Sequence, residues 1–167
     1  MPSQDDLIKQ IADLVQKDFR NQVAAQGHKL TGNLSKSITY QIERIGGDYA
    51  IVFYIEEYGL ILDKGVKASR IPFGGKSNGA AKTSKYIQGL ERYARLRYLV
   101  SAKEATRIAF AIANAHKYGG NGMPTKASFR FSKTGKRTGF IDATLKNIDK
   151  PIRQILGRLE FDFVNAA

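Results

Sequence analysis

Hydrophobic residues recur every four positions at the start of the chain: Leu7, Ile11, Val15, Phe19 and Val23, with Leu14 beside them. Side chains at that spacing share one face of an α-helix, so the pattern predicts an amphipathic helix of about 20 residues with a single buried face. Ser3 followed by Asp6 reads as a capping-box variant, Asp5 and Asp6 suit the positive end of the helix dipole, and Gly27 can end the helix. The period then changes from four to two. Ile38, Tyr40 and Ile42 alternate with Thr39, Gln41 and Glu43. After Gly46-Gly47-Asp48, Tyr49, Ile51, Phe53 and Ile55 alternate with Ala50, Val52 and Tyr54. Two half-buried strands joined by residues able to take positive φ predict a β-hairpin.

Beyond a short apolar piece at Tyr58 to Leu62, the run KASRIPFGGKSNGAAKTSK has the Gly, Lys and Ser content of a loop. Ile87, Leu90, Ala94 and Tyr98 give a helical stripe over about residues 84–100. Ser101 with Glu104 forms a second capping box, and Ile108, Ala109, Ile112, Ala113 and His116 continue a helix that Gly119-Gly120 terminates. Ala105, Ala109, Ala111, Ala113 and Ala115 imply close packing on a neighbour. Ala127 to Phe131 is a candidate strand. From Gly139 onward Leu145, Ile148, Ile152, Ile155 and Leu156 suggest a helix, interrupted or restarted near Pro151 because proline lacks the N–H that a helix interior uses. Leu159 to Phe163 alternates with period two and predicts a strand returning to the sheet. The expected class is α+β, with a mainly antiparallel sheet packed by the N-terminal and C-terminal helices. A chain of 167 residues is expected to form one domain over 1–167, with 66–100 as a basic loop-helix insertion.

Between the first helix and the hairpin lies HKLTGNLSKSI, residues His28 to Ile38. A phosphate loop would want several glycines and a helix long enough to use its dipole; Gly32 stands alone and no such helix follows. The segment reads instead as a structural joint. Thr31 or Asn33 can cap one helical turn, Gly32 relaxes the backbone, and Leu34 and Ile38, four apart, can dock that turn on the core.

Charge changes the picture most. The chain carries a formal +12 with a pI near 9.9, which favours polyanions or acidic partners. From Lys64 to Arg97 nine cations stand against Glu91 alone, and Lys126 to Arg137 holds five cations and no acid. Lys76, Lys82, Lys85, Arg92, Arg95, Lys133, Lys136 and Arg137 are therefore the candidates for a surface facing a polyanion or a partner. The alternation of Phe129 and Phe131 with Arg130 suits base stacking, and equally suits an ordinary half-buried strand.

Candidate chemistry is sparse. Gly75-Lys76-Ser77 ends like a P-loop, but Arg70 stands where that motif needs its first glycine, and Asn78-Gly79 follows where a helix should begin. With no cysteine, and two histidines lacking carboxylates at ligand spacing, neither a metal nor a cofactor site is expected. His28 is expected in a solvated loop, and His116 near a helix C-terminus, where a cation or a hydrogen-bond donor is favoured. Ser35 and Ser37 lack a neighbouring base, and Glu56-Glu57 with Asp63 reads as a solvated strand end rather than a hydrolytic pair. No secretory signal is expected at the N-terminus, and no run reaches the roughly 18 apolar residues of a membrane span. The absence of cysteine suits a reducing compartment. The reading is non-enzymatic.

The order of these elements resembles a family of tailed-bacteriophage neck proteins, the tail-completion or head–tail joining proteins. The likeness is carried by Thr31-Gly32-Asn33-Leu34-Ser35-Lys36-Ser37-Ile38 after an amphipathic helix, then a hairpin, then Tyr58 and Asp63-Lys64-Gly65. Gly122-Met123-Pro124 and Thr138-Gly139-Phe140-Ile141 follow, ahead of the family's last helix. Lys64 departs from the aromatic that the family has before its glycine. The likeness covers residues 4–65 and 101–156 and leaves 66–100 outside. The resemblance implies a structural virion component without catalysis, assembled in the host cytoplasm. It implies a homo-oligomeric ring in the neck, in contact with adaptor, tail-terminator or tail-tube proteins. It also leaves the basic segments facing either channel DNA, without sequence specificity, or acidic neighbours. The alternative is a small basic nucleic-acid-binding protein that reads no sequence; an enzyme of unfamiliar fold stands third.

Overall fold

The computed structural model describes residues 3–72, 84–119, 122–123 and 132–166. In chain order the elements are α1 (Gln4–Ala25), α2 (Asn33–Ser37), β1 (Thr39–Ile45), β2 (Asp48–Tyr54), α3 (Glu57–Lys64), β3 (Val66–Lys67), a 3-10 turn (Ala68–Arg70), α4 (Lys85–Tyr98), α5 (Ala102–Tyr118), β4 (Gly122–Met123) and α6 (Phe140–Ala166). The fold is α+β, about two-thirds helical, with two small antiparallel sheets among the described residues. The chain divides into two compact units. One comprises residues 1–60 with 139–167, and the other residues 61–138.

In the first unit, α1 runs for 22 residues from a complete capping box. Ser3 Oγ accepts from the Asp6 N–H at 3.2 Å, and Asp6 Oδ2 accepts from the Ser3 N–H at 3.0 Å. Leu7, Ile11 and Val15 on its buried face meet Ile148 and Ile155 of α6, and Ile51, Phe53, Leu14, Phe19 and Ile152 close around them. The hairpin pairs Tyr40 with Phe53 and Ile42 with Ile51. Directly opposed residues share a face, so the alternation in the sequence matches the register. Gly46 (φ +61) and Gly47 (φ +99) form the two-residue connection, a conformation whose twist suits a tight hairpin and which side chains resist. The hairpin meets α1 through Phe19 and Phe53, ring centroids 5.7 Å apart, and through the Tyr40 hydroxyl, which donates to Asp13 Oδ1 at 2.6 Å.

Residues 159–163, expected as a strand, are helical: α6 continues unbroken from Phe140 to Ala166. Alternation over five residues is too short to outweigh propagation, since extending an existing helix adds one hydrogen bond per residue fixed. Pro151, expected to interrupt or restart the helix, lies inside it. Its missing N–H leaves only the Asn147 carbonyl without its helical donor. The apolar piece at Tyr58 to Leu62 is likewise helical, within α3. The strand expected at Ala127 to Phe131 lies outside the described residues.

In the second unit, α4 and α5 form an antiparallel pair. Ile71, Ile87, Ala109 and Ala113 make its core, with Val66, Tyr86, Leu90 and Phe110 packed against them. Ala105, Ala109 and Ala113, one per turn, are all fully buried, and their small size lets the two helices approach closely. Ala111 and Ala115, expected on the same contact, are exposed. β3 pairs antiparallel with β4, Val66 opposite Met123 and Lys67 opposite Gly122. At Gly122 (φ +107) an added Cβ would lie 2.0 Å from the Val66 carbonyl oxygen, so only glycine permits this pairing.

Candidate interaction surfaces

The joint residues come together in the first unit. Gly32 (φ +70) occupies the N-cap position of α2, and no side chain caps it. Thr31 or Asn33 had been expected as the cap. Thr31 Oγ1 still accepts from the Asn33 N–H at 3.3 Å, and Asn33 is the first helical residue. Leu34 and Ile38 are 2% and 1% exposed, as their spacing requires. Gly59 lies against Leu34 and Ile55; a Cβ there would meet Leu34 Cδ1 at 2.7 Å and Ile55 Cδ1 at 2.8 Å. Ser37 Oγ donates to the Leu34 carbonyl at 2.9 Å and accepts from the Glu56 N–H at 3.3 Å, tying the joint to the end of the hairpin.

Two side chains that the sequence did not single out hold the joint on α1. Arg20 Nε donates to the Ser35 carbonyl at 3.1 Å, an Arg20 terminal nitrogen to the Ile38 carbonyl at 3.0 Å, and Gln16 Nε2 to the same oxygen at 2.9 Å. The last carbonyls of a short helix have no intrahelical donor, and the guanidinium and amide supply donors. The available signal was a polar Gln16 and Arg20, four apart on one flank of an otherwise apolar ridge.

The basic surface belongs to the second unit, and there the division of charge is sharp. Residues 61–138 carry 17 Lys and Arg against three Asp and Glu, a net +14. The remaining residues carry 10 against 12, a net −2, which together account for the chain's +12. The three acids at 61–138 are Asp63, Glu91 and Glu104. Glu91 accepts from Thr106 Oγ1 at 2.8 Å, a link between α4 and α5, and Glu104 closes the capping box on Ser101. The hydrogen bonds from Ser101 hold the Glu104 carboxyl below its usual range, so both acids of the helical pair are committed inside it.

Lys85, Arg92 and Arg95 are exposed on α4. Lys133 and Lys136 are exposed on a tight loop. Ser132 Oγ, which is buried, organises it by donating to the Lys136 carbonyl at 2.6 Å and accepting from the Thr134 N–H at 3.3 Å. Arg137 is half-buried within electrostatic reach of Tyr93 and His116, and burial lowers its affinity for the proton. It therefore stands apart from the exposed cations. Lys76 and Lys82 lie outside the described residues.

Of the two histidines, His28 departs from expectation and His116 stands at the helix end expected for it. His28 is half-buried, edge-on to Phe140 at 6.2 Å, rather than in water. His116 is in the last turn of α5 but is held toward its neutral form, by burial first and the Arg137 charge second. Its Nδ1 shares a hydrogen bond with the Tyr86 hydroxyl, whose own pKa burial pushes up to about 12. Among the described residues no three His, Asp or Glu side chains are grouped to hold a metal ion, and no helix is long and apolar enough to cross a membrane.

Compared with protein-family models, with curated proteins and with solved structures, the chain matches none.

Proposed function

We propose that this chain is a non-enzymatic building block of a tailed-phage virion neck, one copy of a ring that joins the DNA-filled head to the tail. One observation carries the reading: α1, the Thr31–Ile38 joint, the hairpin and α6, which bear most of the family likeness, fall in one compact unit, in which α1, the hairpin and α6 share a core. In this reading the 1–60 and 139–167 unit is the assembly body. The 61–138 unit, at net +14, faces channel DNA or the acidic surfaces of adaptor, terminator or tube proteins. Virions produced without the protein should accumulate as separate heads and tails in electron micrographs; joined, infectious particles would end the proposal. Changing Lys76, Lys82 and Lys85 together to Glu should lower particle yield or genome retention.

A second reading, sequence-independent nucleic-acid binding, is favoured by the same net +14. It requires the isolated protein to bind duplex DNA of any sequence. For six or more phosphate contacts, affinity should fall about 1,000-fold or more between 50 and 200 mM salt. No binding at the lower salt would remove it.

A further inference from the structure

One face of α4 is exposed along its length and is unlike an ordinary solvated face. Arg92, Arg95, Leu96 and Leu99, spaced i, i+3, i+4 and i+7, lie on it together. Leu96 is 47% exposed and Leu99 90% exposed. Leu99 ends the helix at φ +53, the one non-glycine residue with positive φ among those described, and its N–H donates to the Arg95 carbonyl at 3.0 Å. Glycine or asparagine would hold that C-cap with less strain. The chain instead places a large apolar side chain in water at a backbone position that disfavours it. A surface of exposed leucines rimmed by arginines matches a partner with apolar groups and carboxylates. Phosphate backbone would use the cations and leave both leucines in water.

The same chain carries a patch of that description. Tyr54, at the end of β2, and Tyr58, in the first turn of α3, are 45% and 42% exposed, and Glu56 and Glu57 between them in the chain are exposed. No metal-binding group includes these glutamates among the described residues. We propose that the Arg92–Leu99 face of one copy docks on the Tyr54–Tyr58 segment of a second copy. The leucines pack on the tyrosines, and the two arginines face the two glutamates. Two different patches in contact make a head-to-tail interface, which closes into a ring when the rotation allows; two cationic faces would repel each other. The interface extends the neck reading, and rests on it only for ring closure. These residues form its anchor, within the roughly 800 Å² per partner that a stable association buries.

The test uses the full chain in sedimentation velocity and native mass spectrometry. Wild type forms discrete oligomers. Glu56→Arg with Glu57→Arg, and separately Arg92→Glu with Arg95→Glu, each raise the midpoint concentration of association about 100-fold, since like charges face each other across the interface. An equimolar mixture of the two variants associates again, because every contact between unlike copies pairs opposite charges. Leu99→Gly weakens association about tenfold or more while the melting temperature holds or rises, glycine being at ease at that φ. That readout separates lost contact from lost fold. A wild type still monomeric at about 100 µM overturns the proposal. So do reversed variants that associate as wild type does, or a mixture that stays monomeric. Association seen only when duplex DNA is added assigns the α4 face to nucleic acid and equally overturns it. The virion phenotype is a separate measurement, so the neck reading can stand or fall without this interface.

Discussion

Leu34 is the side chain on which the joint turns: 2% exposed and against Gly59. Leu34→Asp would put a carboxylate where a buried leucine packs and should unfold the first unit or lower its melting temperature sharply. The milder Leu34→Ala should remove about 2–5 kcal/mol. Thermal or urea unfolding reads both, and an unchanged midpoint would refute the role. This much was legible, because two apolar residues four apart after a lone glycine have few other uses. Arg20 and Gln16 were not, because a polar side chain on a helix flank carries no mark of the carbonyl it will meet 15 to 22 residues later. His116 gives a pH prediction. Its folded pKa lies below the ordinary 6.5 through burial, so the folded state prefers the neutral ring. Its contribution is complete above that value and is lost as pH falls below it. Melting followed by circular dichroism from pH 8 to pH 5 should show a decline over that window, smaller in His116→Gln.

At the scale of elements, both complete capping boxes could be placed from three-residue spacings, because a cap is a local hydrogen-bonding pattern. The hairpin was equally legible, since its register follows from alternation and two glycines. The C-terminal run was misread. Alternation at 159–163 and a proline at 151 each argued against one continuous helix, and α6 overrides both. Packing against α1 supplies the reason: Ile148 and Ile155 lie on either side of Pro151 and both enter the same core, so the helix is held on each side of its defect. Pro151→Ala should therefore stabilise the protein, by up to about 3 kcal/mol, by restoring a donor to the Asn147 carbonyl. A lower melting temperature for that variant would contradict a continuous α6.

At the scale of the whole molecule, the two units have separate cores, one built on Leu7, Ile11, Val15, Ile148 and Ile155 and the other on Ile71, Ile87, Ala109 and Ala113. Ile87→Ala should remove about 2–5 kcal/mol from the second core. Hydrogen exchange should then quicken in α4 and α5 while the amides of α1 and α6 stay protected. Uniform loss of protection would mean that the chain unfolds as one. The sequence by itself determined α1 and α5 with their caps, the stripe of α4, and the hairpin with its register, because each depends on residues within a few positions of one another. It also determined the total charge. It placed the excess in two basic segments, and only the tertiary structure put both into one compact unit. Residues 61–138 close into one unit and 139–167 return to the first, so the whole cationic excess belongs to the 61–138 unit. Residues far apart in sequence share a core when burying their apolar faces together outweighs the entropy of closing the chain between them. No local pattern records which faces will meet.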